Sequence, residues 1–207
     1  MNATQRAATL PVRFFRRTAD VVARELLGAV IVSTAGGLRT AGRIVETEAY
    51  LGYDDPASHG YRGRRTRRNA ALFGQPGTWY VYLSYGMHWC ANLVCARQES
   101  GSAVLLRALE PLEGLDVMRA RRSGAADRAL AAGPGRLCQA LGIDVALDGQ
   151  RMESSPVVVL KTESPPPAAV AATPRIGITV AADWPLRFVI AGSPWVSRGR
   201  RDARVDQ

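Results

Sequence analysis

The stretch LRTAGRIVETEAY, residues 38–50, decides how the rest of this sequence is interpreted. Its centre holds an isoleucine followed by a valine, and adjacent β-branched residues favour an extended strand. The stretch then places Glu46, Glu48 and Tyr50 at every second position. Because side chains alternate across a strand, these three residues should point to one face. The stretch therefore predicts a strand that ends with two carboxylates and a phenol on the same side.

Residues 51–72, which follow this strand, are predicted to be mostly loop. The segment begins with the turn-rich sequence GYDDP at 52–56, and we expect a short helix after Thr66. It also contains a dense group of basic residues: Arg62, Arg64, Arg65, Arg67 and Arg68. Such a loop favours contact with negatively charged groups.

A tyrosine-rich strand comes next in the chain. A Pro-Gly turn at 76–77 starts a strand over 78–84, in which Tyr80 and Tyr82 share one face. Carboxylates, arginines and tyrosines thus follow one another along the sequence. They would supply an acid/base group, phosphate contacts and surfaces on which bases can stack. This combination favours chemistry on a nucleobase.

The remaining patterns mix helices and strands without a repeated strand-helix-strand order. We expect helices over 21–27, 114–122 and 134–141, strands over 29–33, 87–95, 102–108 and 157–160, and strand patterning again over 175–190. Residues 154–173 are predicted to be a surface connection around one short strand, and 1–12 and 198–207 to be flexible tails. The sequence therefore predicts one α+β domain over 1–207.

The composition is that of a basic, folded protein. The 207 residues are 47% hydrophobic, and the net charge of +9 points to a polyanionic partner such as nucleic acid. We find no apolar stretch long enough for a membrane span and no signal peptide, so we expect a cytoplasmic protein. The three cysteines, Cys90, Cys95 and Cys138, lack zinc-site spacing and favour buried apolar positions.

The residues alone leave several interpretations open. An enzyme acting on a base could use either Glu46 or Glu48, since both lie on the predicted face. A metal-dependent nuclease could use those carboxylates together with Asp54, Asp55 and His59. A noncatalytic damage-binding or RNA-binding module would use the arginines and tyrosines. Each group also has a structural interpretation, as a solvated loop, a surface ion pair or cross-strand packing.

Several motifs, spread over nearly the whole chain, resemble one enzyme family. They are ARELLG at 23–28, IVETEAYLG at 44–52, PGT at 76–78, YVY at 80–82, YGM at 85–87, LLRALEP at 105–111, GP at 133–134, LCQAL at 137–141 and GSPW at 192–195. Together these motifs are similar to those of the alkyladenine or 3-methyladenine DNA glycosylases of the mammalian type, the methylpurine-DNA glycosylases.

The resemblance implies a curved, mainly antiparallel β-sheet with flanking helices and a protruding β-hairpin that inserts into DNA. It also implies an enzyme of base excision repair that flips alkylated or deaminated purines out of duplex DNA and hydrolyses the N-glycosidic bond. Such an enzyme works without a metal or cofactor. We expect it to act as a monomer and to be associated with the nucleoid.

The same resemblance assigns roles to individual residues. Glu48 would be the general base that activates water, and Arg107 would help to place Glu48 and the water. The flipped base would be bound by Tyr50, His59 and Tyr82, with Asn92 excluding normal purines. Tyr85 would fill the space that the base leaves, Leu72 would be a minor wedge, and the phosphates would be contacted by Arg64, Thr66, Arg68 and Arg136.

One feature of the composition bears on the mechanism independently of the family. A glycosylase that also cuts the strand normally needs an amine nucleophile that forms a Schiff base. The sequence has a single lysine, Lys161, far in the chain from the other motifs. This favours direct attack by water and base removal without strand cleavage.

Overall fold

The computed structural model describes residues 8–162 and 169–197, and the glutamate-bearing stretch lies inside its β-sheet. The sheet contains eight strands: β1 Val30–Ser33, β2 Thr40–Tyr50, β3 Trp79–Ser84, β4 His88–Cys95, β5 Ser102–Glu113, β6 Val157–Leu160, β7 Val170–Thr173 and β8 Arg187–Ile190. Every pairing between these strands is antiparallel.

Strand β2 changes neighbours along its length, and this positions the two glutamates. The main strand order is β3-β4-β5-β2-β1-β6, while β8 pairs with both β2 and β7. One edge of β2 pairs with β5 throughout, whereas the other edge pairs first with β1 and then, at Glu46–Glu48, with β8. Register shifts on both sides of Glu46 mark bulges, which bend a strand and increase its twist. The sheet therefore curls into a half-barrel around the glutamate-bearing end of β2.

Four short helices pack against this sheet: α1 Val12–Phe15, α2 Ala19–Glu25, α3 Leu115–Arg121 and α4 Pro134–Leu141. Helix α2 covers β2 and β5, and α4 covers β4 and β5. The core between helices and sheet contains the fully buried side chains of Phe15, Leu26, Ile44, Trp79 and Leu137. The longest described helix has eight residues, so no described helix could cross a membrane.

The predicted α+β architecture with a curved antiparallel sheet is confirmed, and most element boundaries lie within two residues of those expected. Strand β5 extends to Glu113 instead of ending at Ala108, because it continues to pair with the first half of β2. Of the segment 175–190, only Arg187–Ile190 is a strand. The preceding residues form bends and turns that pass alongside the cavity described below.

Residues 8–12 of the predicted amino-terminal tail are packed against the fold. Leu10 is only 5% exposed, and its backbone N–H donates to the carbonyl of Val159 at 2.8 Å. Thr9 forms a bridge with Leu160, so this segment covers the outer edge of β6, which would otherwise be unpaired. Residues 1–7 and 198–207 of the predicted tails, and 163–168 of the predicted surface connection, lie outside the described residues.

Candidate active site

A cavity of about 520 Å³ opens between the β3–β4 hairpin, the loop after β2, the start of α4 and residues 176–178. This volume is typical of pockets that bind small organic ligands. The walls bring together eight of the residues predicted as functional: Tyr50, His59, Arg68, Leu72, Tyr82, Tyr85, Asn92 and Arg107. Residues from separate parts of the sequence therefore meet at one site.

Glu48 lies directly behind the cavity wall, with 0% of its surface exposed. Its Oε1 accepts a hydrogen bond from the Ile176 backbone N–H at 2.8 Å and forms an ion pair with Nη1 of Arg107 at 3.1 Å. Its Oε2 accepts a hydrogen bond from the Tyr50 hydroxyl at 2.9 Å. All three partners line the cavity. The carboxylate is thus held in place by groups that also form the binding surface.

Glu46 sits in a different environment, which we call the arginine cluster: Glu46, Arg107, Arg187 and Ser197. Glu46 Oε1 accepts from Nε of Arg107 at 2.9 Å, Nε of Arg187 at 2.7 Å and the Ser197 hydroxyl at 2.8 Å. Oε2 accepts from the Ser197 backbone N–H at 2.7 Å. Of the three residues that bind this carboxylate, only Arg107 lines the cavity.

The charges of the arginine cluster offset the cost of burying them. Burial by itself would raise the pKa of Glu46, but Arg107 and Arg187 together bring the pKa below its ordinary value of 4.5. Burial would likewise lower the pKa of Arg107, but Glu48 and Glu46 raise it above its ordinary value. Both groups therefore stay charged, and Arg107 bridges the two glutamates that the sequence could not distinguish.

Aromatic rings form much of the cavity wall. The rings of Tyr80 and Tyr82 stack with centroids 5.4 Å apart, and His59 meets Tyr82 edge-on at 4.6 Å. Burial and the nearby charge of Glu48 raise the pKa of Tyr50 well above its ordinary value of 10.0. The phenol of Tyr50 therefore keeps its proton and donates a hydrogen bond to Glu48. Aromatic faces of this kind suit a flat and positively charged ligand.

His59 is held at the cavity mouth by its loop. Its Nδ1 lies 2.8 Å from the Tyr80 hydroxyl, and its backbone carbonyl accepts a hydrogen bond from the Asn69 amide. At the next residue, Gly60, a Cβ atom would lie 2.7 Å from the Gly101 carbonyl, so only glycine lets the loop approach this closely. Loss of hydration, with the charges of Arg68 and Arg64, lowers the pKa of His59 below 6.5. The imidazole is therefore neutral at pH 7.

Asn92 faces the cavity from β4, opposite Tyr80 in the neighbouring strand. It is 3% exposed, and its Nδ2 donates to the Tyr80 carbonyl at 3.0 Å. This hydrogen bond fixes the orientation of the amide. A rigid polar group in an aromatic wall can discriminate between ligands by the groups on their edges.

The turn of the β3–β4 hairpin lies beside the cavity and carries two exposed large side chains. Tyr85 is 84% exposed and Met87 is 69% exposed, which is unusual for such large apolar side chains. Tyr85 and Gly86 have φ angles of 50° and 69°, both in the left-handed region that a tight turn of this type requires. The Met87 N–H donates to the Ser84 carbonyl at 3.0 Å, which closes the turn. The turn thus presents Tyr85 as an exposed aromatic tip.

The other predicted DNA contacts fall into two groups. Arg68 lines the cavity and donates to the Leu83 carbonyl at 3.1 Å, and Arg64 is close enough for its charge to lower the pKa of His59. Arg136 lies on α4 and donates to the Ala132 carbonyl at 3.3 Å. Thr66 instead caps the 3-10 helix Arg67–Phe73 through a reciprocal pair of hydrogen bonds with Asn69. The side chain of Thr66 therefore has a local structural role in this loop.

Leu72 has a different position from the one that a DNA wedge needs. It is 2% exposed and packs with Phe73, Tyr80, Val94 and Ala103 in a small core beside the cavity. A side chain buried in this way cannot reach between base pairs without leaving that core. The structure therefore corrects the prediction for Leu72, which forms part of the cavity wall.

Several residues of the site come from the carboxy-terminal region and were missed by the sequence analysis. Ile176 binds Glu48, Arg187 and Ser197 bind Glu46, and Arg175 packs behind Tyr50. One local signal existed: Arg187 stands beside Phe188 in an otherwise apolar strand, and a buried arginine needs a carboxylate partner. No local pattern indicated the backbone contacts of Ile176 and Ser197.

The carboxylates invoked for a metal-dependent nuclease do not face a common point. Asp55 is bound by both terminal nitrogens of Arg175, and Glu46 is occupied by the arginine cluster. Among residues 8–162 and 169–197, no three His, Cys, Asp or Glu side chains gather as metal ligands would. The geometry therefore gives the nuclease interpretation no support.

The chain is similar to known proteins over most of its length. Residues 13–194 match the family model described as methylpurine-DNA glycosylase. A protein of Methanoculleus marisnigri provisionally named 3-methyladenine DNA glycosylase is 49% identical over 193 residues, which are 92% of this chain and 99% of that protein. The mouse DNA-3-methyladenine glycosylase is 48% identical over 89% of this chain and 60% of its own length. The chain therefore belongs to the methylpurine-DNA glycosylase family and is a DNA glycosylase, a hydrolase of N-glycosidic bonds.

Proposed function

We propose that this protein removes 3-methyladenine and other alkylated or deaminated purines from duplex DNA by flipping the damaged nucleotide into the cavity. Glu48 would activate the attacking water, and no strand cleavage would follow. One observation carries the proposal: of two glutamates on one strand face, only Glu48 is bound solely by groups that line the cavity.

Base flipping is supported by the shape of the cavity and its rim. A base inside a duplex hides its glycosidic bond, so the nucleotide must leave the stack before a protein group can reach it. The exposed ring of Tyr85 stands at the rim, where it could fill the gap left in the duplex. Arg64, Arg68 and Arg136 would hold the phosphates on either side.

Selection of the damaged base is supported by the aromatic wall. An alkylated purine carries positive charge, and a cation over an aromatic face gains on the order of 1 kcal/mol or more when it is desolvated. Tyr50 and Tyr82 offer such faces, while neutral His59 adds no repelling charge. Asn92 would exclude normal purines whose exocyclic groups clash with its fixed amide.

The hydrolytic step is supported by the position of Glu48. Cleavage of the glycosidic bond builds positive charge on the sugar, which a nearby carboxylate stabilises. The same carboxylate can accept a proton from the attacking water. Arg107 and the Ile176 N–H fix Oε1, and Tyr50 fixes Oε2, so the carboxylate is oriented before the substrate arrives.

Release of the base without strand cleavage is supported by the location of the sole lysine. Lys161 directly follows β6, the strand at the opposite end of the sheet order from the β3–β4 hairpin. Its side chain lines a separate cavity together with Leu10 and Arg13. An amine in that position cannot attack a sugar bound beside Glu48.

The decisive experiment measures single-turnover base release in EDTA from methylated duplex DNA and from duplexes containing one hypoxanthine. Wild-type protein should release free base and leave alkali-labile sites with intact strands. Glu48→Gln should slow release by about 10²- to 10⁴-fold, since the amide keeps the shape but cannot accept the proton.

A matched control is Glu25→Gln, which neutralises a surface glutamate paired with Arg17. This variant should keep wild-type rates. Undiminished release by Glu48→Gln would move the catalytic role to another group, and strand breaks or a need for added metal would overturn the hydrolytic mechanism.

A further inference from the structure

A second buried ion pair lies behind the cavity, outside the arginine cluster. Nη1 and Nη2 of Arg175 both donate to the Asp55 carboxylate, at 2.5 Å and 2.9 Å, and Nη1 also donates to the Ala49 carbonyl. Both side chains of the pair are 0% exposed. Asp55 in turn accepts from the backbone N–H groups of Leu51 and Ala57, so it is firmly fixed. A buried charge held this rigidly acts on whatever lies next to it.

The neighbour of the Arg175 guanidinium is the ring of Tyr50. The guanidinium carbon lies 4.7 Å from the ring centroid, within the range of a cation–π contact. Tyr50 lines the cavity, whereas Arg175 does not and is inaccessible to solvent. Tyr50 therefore contacts the buried cation through a face of its ring and also forms part of the cavity wall.

Two groups act on this ring in opposite directions. The hydroxyl of Tyr50 donates to the Glu48 carboxylate, which pushes electron density toward the ring. Arg175 attracts the same π electrons from the buried side. A ring already shared with one cation attracts a second cation on its other face less strongly, because the quadrupole is polarised and the two positive charges repel.

We propose that Arg175, held by Asp55 against the buried face of Tyr50, is a specificity-determining residue. It weakens the attraction of the cavity for positively charged purines and so keeps neutral lesions competitive. The inference rests on the proposed function, since it assumes that Tyr50 stacks on the flipped base. Arg175 never touches the substrate, so its effect must pass through the ring.

The test compares two lesions that differ in charge. The cationic base 7-methylguanine and the neutral base hypoxanthine are offered in duplex DNA in the same reaction, so the ratio of initial release rates gives the ratio of kcat/KM. The double variant Asp55→Asn/Arg175→Gln removes both charges and keeps a hydrogen-bonded pair. The ratio of 7-methylguanine to hypoxanthine release should rise by about three- to fivefold in this variant.

Two further variants separate charge from packing. Asp55→Leu/Arg175→Met replaces the pair by apolar side chains, which buried ion pairs often tolerate, and should raise the ratio in the same way. Arg175→Lys keeps a cation behind the ring and should leave the ratio within about twofold of wild type.

The possible failures are distinguishable. If the Asp55–Arg175 pair has only a structural role, each double variant that folds should release both bases more slowly by the same factor, and the ratio should not change. That result would overturn the inference without affecting the proposed function. A rise of the ratio in Arg175→Lys as large as in the double variants overturns it as well, because the charge would then be irrelevant. Absence of Glu48-dependent base release from the wild-type protein would instead overturn the proposed function.

Discussion

The arginine cluster and the cavity each contain a glutamate from strand β2 or its binding groups, but they place that glutamate in different surroundings. Glu46 and Glu48 lie two residues apart on β2, point to one side and share Arg107. Glu46 is surrounded by two arginines and Ser197, so its oxygens are fully occupied by protein. Glu48 has one arginine, one backbone N–H and one phenol, all of them at the cavity surface.

From this difference we infer that Glu46 supports Glu48, the proposed catalytic base, by holding the arginine that they share. A lone arginine beside Glu48 would be free to turn toward a substrate phosphate. Because its Nε is held by Glu46, Arg107 offers a fixed Nη1 to Glu48. Placement of catalytic groups to within a fraction of an ångström depends on such supporting contacts. We therefore expect the arginine cluster to determine stability and the cavity to determine activity.

The largest effect that tests this comparison is expected for Glu46→Gln. The change leaves Arg187 and part of Arg107 as buried charges without a carboxylate, and breaking a buried pair costs about 3–5 kcal/mol of stability. Urea unfolding should show this loss, whereas Glu48→Gln leaves Arg107 paired with Glu46 and should cost less, about 2 kcal/mol. Equal losses in the two variants would contradict the division of roles between the glutamates.

A second prediction concerns the exposed tip of the hairpin. Tyr85→Ala should reduce single-turnover base release from duplex DNA by about 10- to 100-fold, because the gap in the duplex is no longer filled. The unfolding free energy should change by about 0.5 kcal/mol or less, since the side chain is 84% exposed. The matched control is Tyr53→Ala, because it removes a tyrosine that is 60% exposed and lies outside the cavity wall. A similar defect on single-stranded DNA would argue against a wedge.

A smaller effect is expected for the basic loop. Arg64→Ala should reduce the slope of log affinity against log salt by about 1, as expected for one lost phosphate contact. Arg39→Ala, at the other end of β2 and paired with Glu113, should leave the slope unchanged. Binding can be measured by fluorescence anisotropy on undamaged duplex DNA. Equal slopes for wild type and Arg64→Ala would remove Arg64 from the interface.

The smallest expected effect is a pH dependence that separates the two regions. The folded-state pKa of His59 lies below 6.5, so the unfolded chain binds a proton first as the pH falls below 6.5, and stability decreases in that window. The folded-state pKa of Glu46 lies below 4.5, so the stability that Glu46 contributes is lost only at lower pH. Urea unfolding of His59→Asn should show a weaker decrease just below pH 6.5, and solvent at the cavity mouth keeps this difference small. Identical pH profiles for wild type and variant would contradict the lowered pKa.

Much of the fold followed from local patterns in the sequence. Alternating residues predicted β2 and β3, and the Pro134 and Gly142 signals predicted both ends of α4. Such patterns work because apolar faces must be buried and because proline and glycine restrict or permit particular backbone angles. Of the strand patterning over 175–190, only Arg187–Ile190 is a strand, because the preceding residues form turns with single contacts, such as that of the Ile176 N–H with Glu48, instead of a strand ladder.

The sequence by itself determined which residue types could do the chemistry, their order along the chain, and the strand face that Glu46, Glu48 and Tyr50 share. It could not decide between the two glutamates, because spacing along a strand fixes direction and not environment. Only the tertiary structure gave the two carboxylates different environments, by bringing Arg187 and Ser197 to Glu46 and Ile176 to Glu48. These contacts join residues far apart in the chain, and the environment of a buried charge depends on whichever groups the fold places around it.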